Sequence, residues 1–276
     1  MKTSHVKVCV LRIEGTNCEE ESYQCFRRLG AKPEKVHLKQ LTGSDVLPEE
    51  RRKLSDYQIL VFPGGFSAGD YVRAGAIFAA RLKSRLSGDL EDFVKAGKPV
   101  LGICNGFQIL VETGMLPAMS AVITETPEAV LNTNDSARFE CRPTLLKNVN
   151  RGKCVFTTKI PHGKVSLIPS AHAEGKLMFP MDRSESIVRE LEENDQIVFK
   201  YVDPDGNPAK YPWCPNGATE NIAGICNRDG NVFGLMPHPE RVFFKYTHPD
   251  WTRSPDGPGD GRAVFESVLD YVAKKL

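Results

Sequence analysis

Val100-Leu101-Gly102-Ile103-Cys104-Asn105-Gly106 is an apolar run of strand length that stops in a glycine-flanked turn. A helical segment, Phe107 to Thr113, follows and is closed by Gly114. A strand with no polar position has no face for water, so it belongs inside a parallel sheet covered on both sides. Cys104 falls at the strand-to-helix junction, and the G-x-C-x-G around it is the cysteine form of the nucleophile elbow of hydrolases. In such a turn the flanking positions must lack side chains to clear the neighbouring strands. The nucleophile sits in strained backbone geometry that projects its sulfur above the sheet edge. The helix N-terminus behind it favours the thiolate. A buried cysteine that merely packs between glycines would have the same local sequence, so the elbow needs partners elsewhere.

Outward from that stretch the alternation of apolar runs and amphipathic segments continues. Val6 to Ile13 is the expected opening strand, and Thr16 or Asn17 can cap a helix with Glu19, Glu20 and Glu21 in its first turn and Gly30 as its stop. Val36 to Leu41 is the expected second strand. Ile59 to Phe62 is an all-apolar strand stopped by Pro63-Gly64-Gly65, and helical segments at Ile77 to Leu86 and Leu90 to Ala96 lead back to Val100. Such β-α-β units predict an α/β fold, an open, mostly parallel sheet with helices on both faces. Ser120 to Thr158 loses the helical period and reads as added β structure. Ser184 to Asn194 reads as a helix, Ile197 to Val202 as a strand, and Ile222 to Cys226 with Val232 to Leu235 as a hairpin around Asn227-Arg228-Asp229-Gly230. A Pro/Gly/Asp-rich loop, Thr247 to Gly261, precedes a closing helix from Arg262 to Ala273. Without repeats or a linker, residues 1–276 read as a single domain.

Composition narrows the function classes. With 41% hydrophobic and 26% charged residues the chain can bury a sizeable core. The 36 Lys+Arg against 35 Asp+Glu leave no broad field to attract nucleic acid or an anionic membrane. No stretch approaches the ~18 apolar residues of a membrane span, and Met1 to Lys7 lacks a signal-peptide core, so a cytoplasmic address is expected. The eight cysteines include no C-x-x-C pair, which points to neither a disulfide framework nor a zinc site. No G-x-x-x-x-G-K-[ST] or strand-linked G-x-G-x-x-G occurs, so the chain has no recognisable means of holding ATP or a dinucleotide.

A nucleophilic thiol needs a proton carrier, and His238-Pro239-Glu240 supplies one after the strand Val232 to Leu235. In an extended segment residues i and i+2 share a side, so Glu240 can hold the His238 imidazole in tautomer and direction while Pro237 and Pro239 stiffen the loop. Pro63-Gly64-Gly65-Phe66 ends a parallel strand with two glycines whose N–H groups can approach a reacting carbonyl. It predicts an oxyanion hole from Gly65, helped by Phe66, together with the Asn105 N–H. His172, in Ser170-Ala171-His172-Ala173-Glu174-Gly175, is a candidate for the pocket wall. All these motifs fall at or after the carboxyl ends of expected strands, where open α/β sheets place their sites.

The combination resembles the class I (triad) glutamine amidotransferases, whose G-x-C-x-G-x-Q and later H-P-E are matched by Gly102 to Gln108 and by His238 to Glu240. Within that family the similarity is to the glutaminase subunits of phosphoribosylformylglycinamidine synthase. It rests on Phe62 to Tyr71, Gly102 to Leu110, Pro215 to Gly217, Ile222 to Asn227 and Gly234 to Arg241. The resemblance implies a flavodoxin-like fold and hydrolysis of glutamine to glutamate and ammonia. It further implies delivery of the ammonia to a synthetase partner that holds ATP and magnesium and binds formylglycinamide ribonucleotide, with a small bridging subunit as a further expected partner. Carried over, Cys104 is the nucleophile, His238 the general base and acid, Glu240 its orienting carboxylate, Gly65 and Asn105 the oxyanion donors, and Gln108, Phe66 and His172 substrate contacts. Three positions depart from the family pattern: Ala68 stands for an aromatic residue, Ala173 for a glycine, and the Thr247 to Pro258 loop is longer than usual. At this stage the glutaminase of another synthetase, or a catalytically silent scaffold subunit, remains an alternative.

Overall fold

The structure is a computed structural model that describes residues 1–253 and 256–276. Its main sheet holds nine strands, the first five of them parallel. In chain order these are β1 (Lys7–Arg12), β2 (Lys32–His37), β3 (Ile59–Phe62) and β4 (Val100–Ile103), then β11 (Val232–Leu235) near the end of the chain. Between β4 and β11 lie β5 (Val130–Asn132), β6 (Glu140–Asn148), β7 (Val165–His172), β8 (Lys176–Met178), β9 (Ile197–Val202) and β10 (Ile222–Cys226). The strand order is β2-β1-β3-β4-β11-β10-β9-β6-β7, and β5 and β8 pair apart as a two-stranded sheet. Neighbours from β2 to β11 are parallel, whereas every pairing from β11 to β7 is antiparallel. Of the β structure expected in Ser120 to Thr158, β6 joins this antiparallel extension, whereas β5 pairs with β8 outside the main sheet.

Six α-helices accompany the strands: α1 (Glu19–Arg28), α2 (Leu38–Thr42), α3 (Ala76–Lys95), α4 (Asn105–Glu112), α5 (Ser184–Glu193) and α6 (Arg262–Lys275). The crossover β1-α1-β2 steps one way along the sheet and β3-α3-β4 steps the other. Right-handed connections therefore put α1 and α3 on opposite faces. Phe26 of α1 meets Phe265 of α6 edge-on at 5.3 Å, and Phe62 of β3 meets Phe78 of α3 at 5.8 Å. All residues of β3, β4 and β11 are buried. Their register is flush, with Phe62 beside Gly102 and Leu235 beside Ile103, so the chain leaves all three strands at one level. The direction of strand addition reverses between β1 and β3, where such sheets open a crevice.

Local departures from the expected elements have physical causes. The second strand begins at Lys32 and ends at His37. Lys32-Pro33-Glu34-Lys35 is polar because β2 is an edge strand, and Leu38 to Leu41 belongs to the short helix α2. His37 caps that helix by accepting the Lys39 N–H at 3.2 Å while Gln40 reaches back to the His37 N–H at 2.8 Å. Neither Thr16 nor Asn17 caps α1. Cys18 holds the N-cap position without a side-chain bond, and Thr16 Oγ1 accepts the Ile13 N–H at 3.2 Å. The two expected helices before Val100 are one, α3, running through Gly88. A mid-helix glycine costs about 1 kcal/mol. A long helix packed on the sheet by Phe78, Leu82, Leu86, Leu90 and Phe93 absorbs that cost.

In the Thr247 to Gly261 loop, Ser254 and Pro255 lie outside the described residues; the rest folds back through Gly259 N–H to Phe243 O and Gly261 N–H to Val242 O, both 3.1 Å. No described helix is long and apolar enough to cross a membrane.

Candidate active site

The elbow forms where β4 hands over to α4. Cys104 has φ 52° and ψ −107°, left-handed backbone that costs a non-glycine residue ~1–3 kcal/mol. Its surroundings over-determine that conformation. The Cys104 N–H donates to Leu235 O at 2.8 Å, and the Cys104 carbonyl receives the N–H groups of Phe107 and Gln108. Gly106 is a steric necessity, because a Cβ there would stand 1.9 Å from Phe62 O. The thiol, 6% exposed, donates to Ala171 O at 3.5 Å.

His238 follows β11 and meets the same point. A Cβ on Gly64 would lie 2.8 Å from His238 Cε1 and 3.5 Å from Cys104 Cβ, so imidazole and thiol flank one position at the end of β3. His238 Nδ1 and Glu240 Oε1 are 2.6 Å apart and both side chains are buried. A carboxylate can only accept, so Nδ1 carries the proton and Nε2 is left facing the sulfur. Nε2 has no geometric hydrogen-bond partner among the described residues. Burial pushes the His238 imidazole down. The negative charge of Glu240, and next that of Cys104, outweighs it, so the net shift is well above the ordinary histidine value. A second thiol, Cys18, sits beside this pair and accepts from Arg241 Nη2 at 3.4 Å. Cys18, His238 and Glu240 are the one group of possible metal ligands close together among the described residues, within 4.8 Å, but the Nδ1–carboxylate bond already uses two of them.

Two main-chain donors face the elbow. Gly65 has φ 141° and lies so close to Asn17 that a Cβ would be 2.7 Å from its nitrogen. The N–H groups of Gly65 and Asn105 have no acceptor among the described residues. The N–H of Phe66, by contrast, donates to Gly15 O at 3.0 Å and is unavailable to an oxyanion, so the expected help from Phe66 is corrected. The Asn105 side chain locks the two turns together. Its Oδ1 accepts the Ser67 N–H at 3.3 Å, and its Nδ2 donates to Gln108 Oε1 at 2.9 Å and to Asp70 Oδ1 at 3.5 Å.

These groups border a cavity of about 180 Å³, lined by Gly65, Phe66, Cys104, Gln108, His172 and His238 among others, with Asn105 and Glu240 standing behind the wall. Gln108 contributes its flank more than its amide, since Nε2 is engaged by Glu174 O at 2.6 Å and Oε1 by Asn105. His172 is 2% exposed, and burial, followed by the charge of His238, pulls it down to about 4. Motif reading passed over Cys18, Asp70, Glu174 and Arg241, which also line the cavity. Arg241 directly follows the H-P-E, and Asp70 and Glu174 lie inside quoted stretches, but nothing in their local sequence distinguishes them. Asp70 is held at φ 51° after a left-handed Ala68 and Gly69. Burial and the charge of Glu174 push its carboxyl up to about 6.

Residues 5–272 match the CobB/CobQ-like glutamine amidotransferase domain. The chain is 54% identical over 276 residues to phosphoribosylformylglycinamidine synthase subunit PurQ of Archaeoglobus fulgidus, covering 99% of this chain and all of the relative. It is 43% identical to the same subunit of Picrophilus torridus, covering 96% and 98%. The chain belongs to the PurQ family of glutamine amidotransferases. A solved structure of PurLQS from Thermotoga maritima superposes with TM-score 0.71 at 32% identity, covering 97% of this chain and 99% of that one. A glutaminase domain of CTPS from Trypanosoma brucei, 13% identical with TM-score 0.53, shares the fold. Against the PurQ pattern, Ala68 adopts φ 53° and lies outside the cavity wall. Ala173 does line the cavity, but its backbone is not left-handed, so a methyl group is accommodated where the resemblance predicts glycine.

Proposed function

We propose that the chain, acting as one domain over residues 1–276, is the glutaminase subunit of phosphoribosylformylglycinamidine synthase. Cys104 gives its thiol proton to His238 Nε2 and attacks the side-chain carboxamide carbon of glutamine, and the resulting oxyanion is met by the N–H groups of Gly65 and Asn105. Each such donor contributes ~2.7–4 kcal/mol to the transition state. His238 donates its Nε2 proton to the departing ammonia as the carbon–nitrogen bond breaks, leaving a glutamyl thioester. Water then attacks with His238 as base, releasing glutamate and restoring the thiol. The ammonia passes to a synthetase partner that uses ATP and magnesium to convert formylglycinamide ribonucleotide to formylglycinamidine ribonucleotide in purine biosynthesis. A small bridging subunit completes the assembly, and the complex works in the cytoplasm. The glutaminase steps use this chain's side chains and main-chain N–H groups together with water.

The observation that carries this reading is the buried Glu240–His238 pair placed against a left-handed Cys104. The electrostatics support both half-reactions. While Cys104 is anionic its charge helps keep His238 protonated, ready to act as acid. Acylation removes that charge and one of the contributions raising His238, so the imidazole more readily gives up its proton and is free to accept one when water must be activated. Replacing Cys104 by Ala abolishes glutamine-dependent synthesis by the assembled enzyme and leaves the ammonia-dependent reaction. Glutamate release that survives Cys104→Ala refutes the assignment.

A further inference from the structure

Cys18 is a buried thiol at the active site that the reaction above does not use. It is held at the start of α1 by its own N–H, which donates to Gly64 O at 3.2 Å, and by its carbonyl, which receives the Ser22 N–H at 3.3 Å. Its sulfur stands within 4.8 Å of a ring nitrogen of His238 and of a carboxylate oxygen of Glu240. A Cβ on Gly64 would lie 3.3 Å from that sulfur, against 2.8 Å from His238 Cε1 and 3.5 Å from Cys104 Cβ. The second thiol therefore borders the point where nucleophile and imidazole meet.

Both hydrogen-bonding capacities of Cys18 are taken. The thiol donates to Asn17 Oδ1 at 3.7 Å, and the sulfur accepts from Arg241 Nη2 at 3.4 Å. A thiol engaged in this way is a seat for a cation, not a second nucleophile. Among the described residues this sulfur is the only acceptor that the Arg241 side chain meets. Arg241 directly follows Glu240, lines the cavity and is partly buried. Burial pulls its proton affinity down, but the hydrogen bond to Cys18 and the negative charges of Glu240 and Cys104 outweigh it, so the net shift is upward. Electrostatic coupling is reciprocal, so the guanidinium favours the anion at Cys104 by as much as that anion favours the guanidinium. The groups facing Arg241 are Glu240 from its own turn, Cys18 from the start of α1 and Cys104 from the elbow. His238 faces these three and also His172 of β7, and Asp70 and Glu174 line the same cavity.

We propose that Cys18 and Arg241 are positioning residues for the glutaminase reaction: Cys18 seats the guanidinium beside the triad, and its fixed charge sets the pH range over which Cys104 and His238 work. The inference rests on the glutaminase reading and adds two residues to it. An arginine stays charged at every working pH. The Cys104–His238 pair loses one proton on the acidic limb of the rate profile and a second on the alkaline limb. A fixed positive charge disfavours each protonated state beside it, so Arg241 moves both limbs to lower pH. Glu240 acts on His238 in the opposite sense, and the two charges offset one another.

The test measures glutamate release against pH by the complete synthetase complex, with ammonia-dependent synthesis as the check that the assembly is intact. Arg241→Met removes the charge at similar length, and both limbs of kcat/KM move to higher pH by about half a unit to one unit. Arg241→Lys keeps the charge and the wild-type limbs. Cys18→Ala removes the seat and moves both limbs the same way by less, whereas Cys18→Ser still accepts a hydrogen bond and restores them. A merely structural role lowers the rate at every pH and leaves the limbs in place. That outcome in Arg241→Met overturns the proposal, as does a limb moved to lower pH or an equal displacement in Arg241→Lys. If Arg241→Met does not assemble, unmoved limbs in Cys18→Ala overturn it. A wild-type complex that uses ammonia but releases no glutamate from glutamine overturns the glutaminase reading itself, and the role given to Arg241 with it.

Discussion

The parallel half of the sheet and its antiparallel extension contribute differently to the site. β3, β4 and β11 end at one level, and the residues that follow them, Gly65, Cys104 and His238, are the groups assigned to bond making. The extension starts at β10 and runs away from that level, yet its last strand returns. β7 receives the His238 N–H on Pro169 O at 2.7 Å and the Cys104 thiol on Ala171 O at 3.5 Å. A twisted sheet whose far edge curls over its own middle can thus close a cavity without a second domain. The groups assigned to chemistry follow short strands buried on both faces. The facing wall of the cavity is supplied by the end of β7 and the turn after it. If that division holds, changes in the parallel half alter kcat and its pH dependence, and changes in the extension alter stability and KM.

The largest expected effect is at Glu240. Its bond to His238 Nδ1 fixes the tautomer, and where a carboxylate has that role its amide replacement lowers kcat by about 10⁴. Glu240→Gln also removes the leading electrostatic contribution that holds His238 up, so His238 loses its proton at lower pH. The alkaline limb of glutamine hydrolysis then moves to lower pH in the variant. A variant with the wild-type pH profile would separate Glu240 from the imidazole and undo the assignment.

In the extension the corresponding handle is His172. Its folded value, about 4, lies below the ordinary 6.5, so the unfolded chain binds a proton that the folded chain refuses. Stability from this group is fully present above pH 6.5 and is lost as pH falls towards 4, at ~1.4 kcal/mol per unit or about 3 kcal/mol in all. Urea unfolding at pH 7 and pH 4.5 should show wild type losing more stability than His172→Gln by an amount of that order. Two facing charges modulate the window, His238 widening it and Glu140 narrowing it. Equal losses in the two proteins would place His172 in contact with solvent or with a counter-charge.

How much of this was legible depended on burial. Ile59 to Phe62 and Ile197 to Val202 were read from sequence with their observed limits because unbroken or nearly unbroken apolar runs have one reading. The sequence places β2 too late because an edge strand needs little apolar surface, and divides α3 because a glycine tolerated by tertiary packing looks like a stop. At the site, Cys104, His238 and Glu240 stood out because each chemistry imposes a local spacing. Asp70, Glu174, Cys18 and Arg241 carry no such signature. They meet only through the register of β1 against β3 and the return of β7, contacts distant in the chain. Gln108 is expected as a substrate contact from the resemblance alone, whereas the engagement of its amide with Asn105 and Glu174 is a tertiary fact.

The smallest effect examines the seam between the halves. Phe66 belongs to the turn after β3 and Phe139 to the approach to β6, and their rings meet at the cavity mouth with centroids 6.3 Å apart and planes inclined by 38°. Each is about half exposed, 47% and 49%, so the pair has less desolvation to gain than a core pair. Aromatic pairs contribute ~0.5–1.5 kcal/mol beyond area, and this one belongs at the lower end. Phe66→Ala and Phe139→Ala should each raise the KM for glutamine a few-fold with kcat nearly unchanged. Combined, they should add to less than the sum of the single changes, with a coupling near 0.5 kcal/mol. Full additivity would mean that the rings touch without cooperating and that the extension is held over the elbow by β7 alone. A fall in kcat in either single variant would instead mean that the seam positions Gly65, and effects on kcat and KM would then no longer be divided between the two halves.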